Sequence, residues 1–309
     1  GEYRRAIEDY EQALQLDPGV AAPYNNRGIA YYELGEYRRS IEDYDRAIRF
    51  NPLGAKSYSN RGNAYVRLRE YQRAIEDYGQ AIRLEPDDAQ AYYNRGSTYY
   101  DLGEYRRAIG DFDHALRLDP MSAAAYINRG NAYDALSEYR RAIEDYDQAV
   151  RLDAELALAY ANRGRTYSRL GEYRRAVQDH DQALRLDPDL GAARIDRGYA
   201  YNILAWDQYL KGNLGEALAE VDRALSDVPD APGIIESRGQ ILAALGRTNE
   251  AVEEFERAMR IGGADLVQLY QEALARLGHF RGGIDGTYGP KTRAALAACL
   301  SAGCRLVEW

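Results

Sequence analysis

The chain has 309 residues, 46% apolar and 29% charged, the balance of a folded globular protein and not of a disordered or fibrous one. A formal charge of -9 with no Lys/Arg-rich block argues against a nucleic-acid partner, because that affinity rests on neutralising many phosphates. No stretch approaches the roughly 18 uninterrupted apolar residues that a membrane span needs. Tyrosine dominates the aromatics, 28 residues against four phenylalanines, so aromatic packing must leave many phenolic hydroxyls where they can find partners.

The first predicted element is a lone helix from Glu2 to Leu16. Its motif GEYRRAIEDY recurs, with small changes, from Gly1, Gly35, Arg69, Gly103, Ser137 and Gly171, an unbroken spacing of 34. A period of this length is the mark of stacked helical repeats. The pairs Asp17-Pro18, Asn51-Pro52, Glu85-Pro86, Asp119-Pro120, Asp153-Ala154 and Asp187-Pro188 keep the same spacing and stop one helix before the next begins. Each unit is therefore predicted to be a helix, a turn and a second helix, with full units starting at Ala21, Ala55, Ala89, Ala123, Ala157, Gly191 and Pro232. The sixth unit carries seven extra residues around Leu204, Trp206, Tyr209 and Leu210, read as a longer hairpin helix or, alternatively, a docking knob. A chain that opens in mid-repeat at Gly1 is expected to continue upstream.

In the first full unit, Tyr37, Ile41, Tyr44 and Ile48 form an apolar stripe at three- and four-residue steps. Arg38 with Glu42, Arg39 with Asp43 and Glu42 with Arg46 sit four apart, the spacing of a solvent-facing charged helix surface. Gly28 and its equivalents Gly62, Gly96, Gly130, Gly164, Gly198 and Gly239 fall inside helices, where glycine costs up to about 1 kcal/mol relative to alanine, so close helix contact is expected there.

The order Tyr24, Gly28, Tyr31, Gly35, Tyr37, Ser40, Tyr44, Ala47 and Pro52 resembles the signature of the tetratricopeptide repeat family. Over residues 1–264 the resemblance implies an all-α, right-handed superhelical solenoid of helix-turn-helix repeats, and a protein-protein interaction scaffold.

Asparagine recurs at the sixth position of five units, as Asn26, Asn60, Asn94, Asn128 and Asn162, then gives way to Asp196 and Ser237. Asparagine is a mediocre helix former, so this recurrence suggests work for its amide, which can pair with both the C=O and the N–H of a partner's backbone. The column resembles the asparagine ladder of tetratricopeptide domains that hold extended peptides in a concave groove. Tyr32, Asn63, Tyr100 and Asn131 lie on the same face and complete the expected peptide-binding set, within a mixed polar and aromatic lining. The bland alternative is that each asparagine bonds a neighbouring loop or water.

The next residue is arginine in every unit: Arg27, Arg61, Arg95, Arg129, Arg163, Arg197 and Arg238. The matching point of the second helix holds Asp43, Asp77, Asp111, Asp145, Asp179, Glu220 and Glu254, so an inter-helix ion pair is predicted in each unit. A row of arginines for anionic partners is the alternative.

After Gly262-Gly263 the composition changes to helix, glycine-rich loop, helix, with Pro290 suited to a first helical turn. Leu277-Gly278, Ile284-Asp285-Gly286, Tyr288-Gly289-Pro290 and Thr292 resemble the peptidoglycan-binding-domain-like family, which implies that residues 265–309 form a small helical module, possible anchor to the bacterial cell wall. The resemblance assigns the candidate glycan site to Asp285, Gly286, Tyr288, Gly289 and Thr292. Asp and Gly there also suit a plain turn, Thr292 suits a helix cap, and the module could simply cap the stack.

Cys299 and Cys304 are the only cysteines. A disulfide between them fits an oxidising envelope compartment, two buried thiols fit equally, and without histidines nearby in the chain the pair is not expected to bind metal. His114, His180 and His279 have no triad or ligand companion at a recognisable spacing, and GGIDGTYGPKT lacks the phosphate-loop pattern. No catalytic residue, metal or cofactor is expected. The leading expectation is a peptide-binding scaffold of the bacterial periplasm or envelope; the alternatives are a cytoplasmic assembly scaffold and a regulatory part of a larger enzyme.

Overall fold

A computed structural model describes residues 1–306, and among these every regular element is an α-helix. The helices fall into two compact units divided between Ala154 and Glu155. The first holds α1 (Glu2–Leu16) and the pairs α2 (Ala21–Glu33) and α3 (Tyr37–Phe50), α4 (Ala55–Arg67) and α5 (Tyr71–Leu84), α6 (Ala89–Asp101) and α7 (Tyr105–Leu118), and α8 (Ala123–Ala135) and α9 (Tyr139–Leu152). The second holds α10 (Ala157–Arg169) with α11 (Tyr173–Leu186), α12 (Gly191–Leu210) with α13 (Leu214–Asp227), and α14 (Pro232–Ala244) with α15 (Thr248–Arg276), followed by α16 (Pro290–Ser301). Every predicted unit start coincides with the first residue of a helix.

The turn inside each pair is built by a left-handed residue. At the end of α2, Gly35 (φ 78°) lets its own N–H donate to the Tyr32 carbonyl at 2.9 Å, while the Glu36 N–H reaches the Tyr31 carbonyl at 2.9 Å. Both bonds satisfy carbonyls that the helix end would otherwise leave unpaired. Two repeats make the same turn without glycine, through Arg69 (φ 60°) and Ser137 (φ 60°). The mid-helix glycines answer to a different demand. A Cβ on Gly28 would lie 2.7 Å from the Tyr44 ring, and one on Gly130 2.8 Å from the Tyr146 ring. The second helix thus presses an aromatic face onto the bare backbone of the first.

Arginine then locks the pairs. In α2 the Arg27 guanidinium donates two bonds of 2.7 Å to the Asp43 carboxylate of α3, and Asp43 is only 3% exposed. The same fork joins Arg61 to Asp77, Arg95 to Asp111, Arg129 to Asp145 and Arg163 to Asp179, and Arg238 reaches Glu254 at 2.7 Å. Asp43 is therefore not part of the solvated charged face expected for it: Arg39 pairs with Glu36 at 2.7 Å instead.

The sixth repeat corrects one expected partner. Arg197 binds Asp227 with bonds of 2.8 and 2.6 Å, and Glu220 pairs with its neighbour Arg223. In an antiparallel hairpin, lengthening the first helix by two turns also moves its second helix two turns up, so the residue facing Arg197 shifts twice the insertion length. The insertion itself is continuous helix in the 20-residue α12, which answers in favour of the longer hairpin. Its Leu210 is 68% exposed at the tip, while the Trp206 indole N–H crosses to α14 and donates to the Ser237 hydroxyl at 2.8 Å.

The helix α15 breaks at Gly263 (φ 70°, ψ -161°), and beyond it the chain shares one core with the last repeat. Val252, Phe255 and Met259 pack with Val267, Tyr270, Leu274, Leu296, Cys299 and Leu300.

Arg69→Gly and Ser137→Gly should each raise stability by about 1 kcal/mol, by removing the left-handed strain of a side-chain-bearing residue, read as a later denaturation midpoint. Burial pushes the Asp145 carboxyl up despite Arg129, so desolvation outweighs the pairing. Arg129→Met alone should cost about 3–5 kcal/mol by stranding that carboxylate, whereas Arg129→Met combined with Asp145→Leu should recover most of the loss in the same denaturation measurement.

Candidate functional site

The first helices of successive pairs touch one another within each unit, α2 with α4, α4 with α6 and α6 with α8, then α10 with α12 and α12 with α14. They form the face that carries the asparagine column. The amides there are partly engaged with each other: Asn60 donates to the Asn25 carbonyl oxygen at 3.2 Å, Asn94 to that of Asn63 at 3.3 Å, and Asn128 to the Tyr93 hydroxyl at 2.9 Å. Asn26 is exposed at the end of the row, and Asn162 is half-buried in the second unit. The Tyr78 and Tyr146 hydroxyls donate to Asn63 and Asn131 at 2.7 and 2.8 Å. Tyr32 stacks edge-on against Tyr37, with ring centres 5.4 Å apart, and Tyr100 meets Tyr105 at the same distance. The column is thus a chain of inter-helix hydrogen bonds as well as a polar surface. An amide has two N–H donors and an oxygen with two acceptor sites, so one such bond leaves capacity for a ligand.

Where the column lapses, other groups take its place. Asp196 accepts from Arg165 at 3.1 Å, and Ser237 is sealed beneath Trp206. A cleft of about 240 Å³ nevertheless runs between α10 and α12, lined by Arg165, Tyr173, Tyr199 and Ile203 among others. In α14, the residue three places beyond Ser237 is Gln240, buried to 3%. Its side-chain amide donates to the Cys304 carbonyl at 3.3 Å and accepts from the Leu306 N–H at 3.2 Å. An amide on this helix face therefore holds a length of main chain, the protein's own C-terminal tail. Gln240 escaped the sequence reading because it occurs once, at the phase of Asn63 and Asn131, and not in the recurring column.

The arginine row is turned inward and is occupied. Several of these arginines also reach back to the preceding pair's second helix: Arg61 to Asp45 and Arg129 to Asp113 at 2.6 Å, Arg197 to Asp181 at 2.6 Å, and Arg238 to Asp222 at 2.7 Å, whereas Gly79 stands at that place before Arg95. Tyrosine rings flank it, as Tyr58 and Tyr65 do Arg61, with the guanidinium carbon 5.6 and 5.9 Å from their centres. Where present, these second carboxylates lie 16 residues before the arginine, as the first lie 16 after it except at Arg197, a spacing visible in the sequence.

In the C-terminal module the candidate loop folds onto Gln271, which is 1% exposed. The Gln271 amide donates to Asp285 at 2.9 Å, to the Thr287 carbonyl at 3.1 Å and to the Thr292 hydroxyl at 3.4 Å, and accepts from the N–H groups of Asp285 and Gly286, both at 3.0 Å. Asp285 also accepts from the Thr287 N–H at 2.9 Å, and the bonds from Gln271 and Thr287 hold its carboxyl below the usual range. Thr292 is buried and makes no cap for α16, contrary to the role suited to it, because its hydroxyl faces Gln271. Tyr288 donates to Glu256 of α15 at 2.5 Å, and Gly289 precedes Pro290 at the start of α16. Cys299 and Cys304 are joined in a disulfide. His279, distant from them in the chain, lies beside them in space.

His180 fills the aromatic slot of its repeat. A Cβ on Gly164 would lie 3.0 Å from the His180 ring, which is fully buried, and among the described residues neither ring nitrogen has a hydrogen-bond partner. It packs against the bare backbone of the first helix.

Family models for the tetratricopeptide repeat match residues 1–35, 30–69 and 68–103, then 89–122, 123–155 and 157–190, and finally 204–265. The chain belongs to the tetratricopeptide repeat family. A peptidoglycan binding domain model matches residues 263–299. Among curated proteins, the TPR repeat-containing thioredoxin TTL4 of Arabidopsis thaliana is 50% identical over 52 residues, 17% of this chain, which spans only 8% of that protein's length. Among solved structures, the C-terminal part of a TPR repeat-containing protein from Cytophaga hutchinsonii aligns at a TM-score of 0.64 and 19% identity, covering 76% of this chain and 94% of that one. YrrB, described as a TPR protein with an unusual peptide-binding site, aligns at 0.53 and 23% identity, covering 60% and 96%. MamA aligns at 0.51 and 26% identity, covering 54% and 92%. The first two likenesses show the fold alone, an all-α repeat solenoid, and the family's ordinary work is protein-protein interaction.

Burial pushes the His180 imidazole down from its ordinary value, so the unfolded chain takes up the proton first. Its cost to stability should be least above about pH 6.5 and grow as pH falls below that value. His180→Phe should stabilise the fold by about 1–3 kcal/mol at pH 7 through relief of two unsatisfied nitrogens, read as a later denaturation midpoint, and should flatten the decline below about pH 6.5.

Proposed function

We propose that the face formed by the first helices binds an extended segment of a partner protein, with Asn60, Asn94, Asn128 and their neighbours pairing with its backbone. The observation that supports this reading is Gln240, whose amide holds both a carbonyl and an N–H of the C-terminal tail on the corresponding surface of α14. Asn63 and Asn131 stand at the same phase in their own repeats. Backbone pairing contributes affinity with little demand on the partner's side chains, and the half-buried tyrosines and Ile29 along the row supply apolar contact. Catalysis is no part of this reading, which rests on the amides of the first-helix face.

The C-terminal module acts first as a cap. Its apolar face closes the exposed side of the last repeat, and its loop is tied to Gln271 and Glu256 and so does not spread as a ligand surface. Attachment to the bacterial wall is the second reading, favoured by the family match over residues 263–299, and it would set the protein in the envelope.

A photocrosslinking residue placed at Ile29, on the first-helix face, should capture partner protein, while one at Arg38 on the solvent side of α3 should not. Combining Asn60→Ala and Asn94→Ala with the Ile29 probe should cut adduct yield at least about tenfold at unchanged helicity, because unpaired backbone groups in a partner cost about 1–3 kcal/mol each. Adducts confined to Arg38, or indifferent to the asparagines, would remove the groove reading. Co-sedimentation of the intact chain with purified peptidoglycan tests the second reading, and a protein left wholly in the supernatant restricts the module to capping.

A further inference from the structure

Cys299, Cys304 and His279 are distant in composition and motif from the repeat machinery, and the fold brings them together. At the end of α15, Gly278 turns left-handed (φ 79°) and the His279 N–H closes on the Leu274 carbonyl at 2.9 Å, which returns the chain toward α16. One donor atom of His279 and the two cysteine sulfurs lie within 4.8 Å of one another. Cys299 is wholly buried, while His279 and Cys304 are half-exposed, so the cluster opens to solvent on one side. Among the described residues the His279 ring has no hydrogen-bond or ion-pair partner, although it sits against a polarisable pair of sulfurs.

We propose that, once the disulfide is reduced, His279, Cys299 and Cys304 bind a thiophilic divalent cation of the zinc type, with solvent in the fourth position. Metal–sulfur bonds of about 2.3 Å and metal–nitrogen bonds of about 2.0–2.1 Å place tetrahedral donors roughly 3.5–3.8 Å apart, so once the sulfur–sulfur bond is broken the two sulfurs must separate by roughly 2 Å and the imidazole move by about 1 Å. Two thiolates and an imidazole select zinc-like ions over magnesium or calcium, which prefer oxygen. A dithiol reductant supplies two electrons and two protons to the sulfur–sulfur bond and leaves as its own disulfide. The cation then displaces the two thiol protons to solvent and takes the neutral imidazole nitrogen as its third donor. Disulfide and metal would be alternative ways of holding Cys304, and with it the tail whose backbone is read by Gln240. This inference stands independently of peptide binding.

The test uses the full chain, reduced with a phosphine that is then removed without air, and Co²⁺ as the probe. The reduced protein should take up one equivalent with a thiolate-to-cobalt charge-transfer band that Zn²⁺ abolishes, and the oxidised protein should show none. Cys299→Ser should lose the band, and His279→Phe, which keeps a planar ring in the slot, should weaken binding at least about tenfold. X-ray absorption of the zinc-loaded wild type should give two sulfur scatterers and one imidazole. A reduced wild type without the band, or His279→Phe binding as tightly as wild type, would overturn the proposal; if that variant fails to fold, absorption without an imidazole scatterer would do the same.

Discussion

The repeats depend on one arginine in each first helix. Arg61, Arg129 and Arg197 are each bound bidentately by an aspartate of their own pair and reach a carboxylate of the pair before it, so a single side chain holds three helices in register. Only a planar fork with donors on two edges can do this, and lysine, a point charge, could not. The flanking tyrosines suit the same cation: their ring faces attract it and their hydroxyls find other bonds, as the Tyr58 hydroxyl does at the Pro52 carbonyl, 3.4 Å away. That is one reason tyrosine outnumbers phenylalanine beside these arginines. The pair's own stability contribution is small after desolvation, so the network specifies which helix packs on which more than it strengthens the packing.

This use of charge decides how the asparagine face works. With that arginine and its acids turned inward, the asparagine-bearing part of the first-helix face offers mainly neutral amides, hydroxyls and rings, and charge returns where Arg165 meets Asp196. Such groups can bond to each other across neighbouring helices and still offer donors and acceptors outward. The tail on Gln240 shows the geometry in which an amide of this face meets a main chain. In the sixth repeat the same face changes character, because two extra turns of α12 carry Trp206 over Ser237 and leave Ile203 and Leu210 exposed.

The C-terminal module follows a related economy. Gln271 satisfies five polar partners of the loop from one buried position, and that is why Asp285, Gly286 and Thr292 look like a motif in sequence: they are the groups that meet it. Shared apolar burial with Phe255 and Met259 makes the module part of the last repeat's core.

The sequence by itself determined the all-α repeat class, the start of every pair and six of the seven arginine partners, because these depend on local period and on contacts 16 residues apart that recur identically. It also marked the asparagine face, though not the bonds its amides make. Only the tertiary structure decided the partner of Arg197, since a longer hairpin moves both helices against each other and no local pattern records the shift. The same holds for Gln240 under the tail and His279 beside the cysteines, which meet across 64 residues in one case and across a chain reversal in the other. Periodicity reports what neighbouring turns share; single contacts between distant segments leave no period to read.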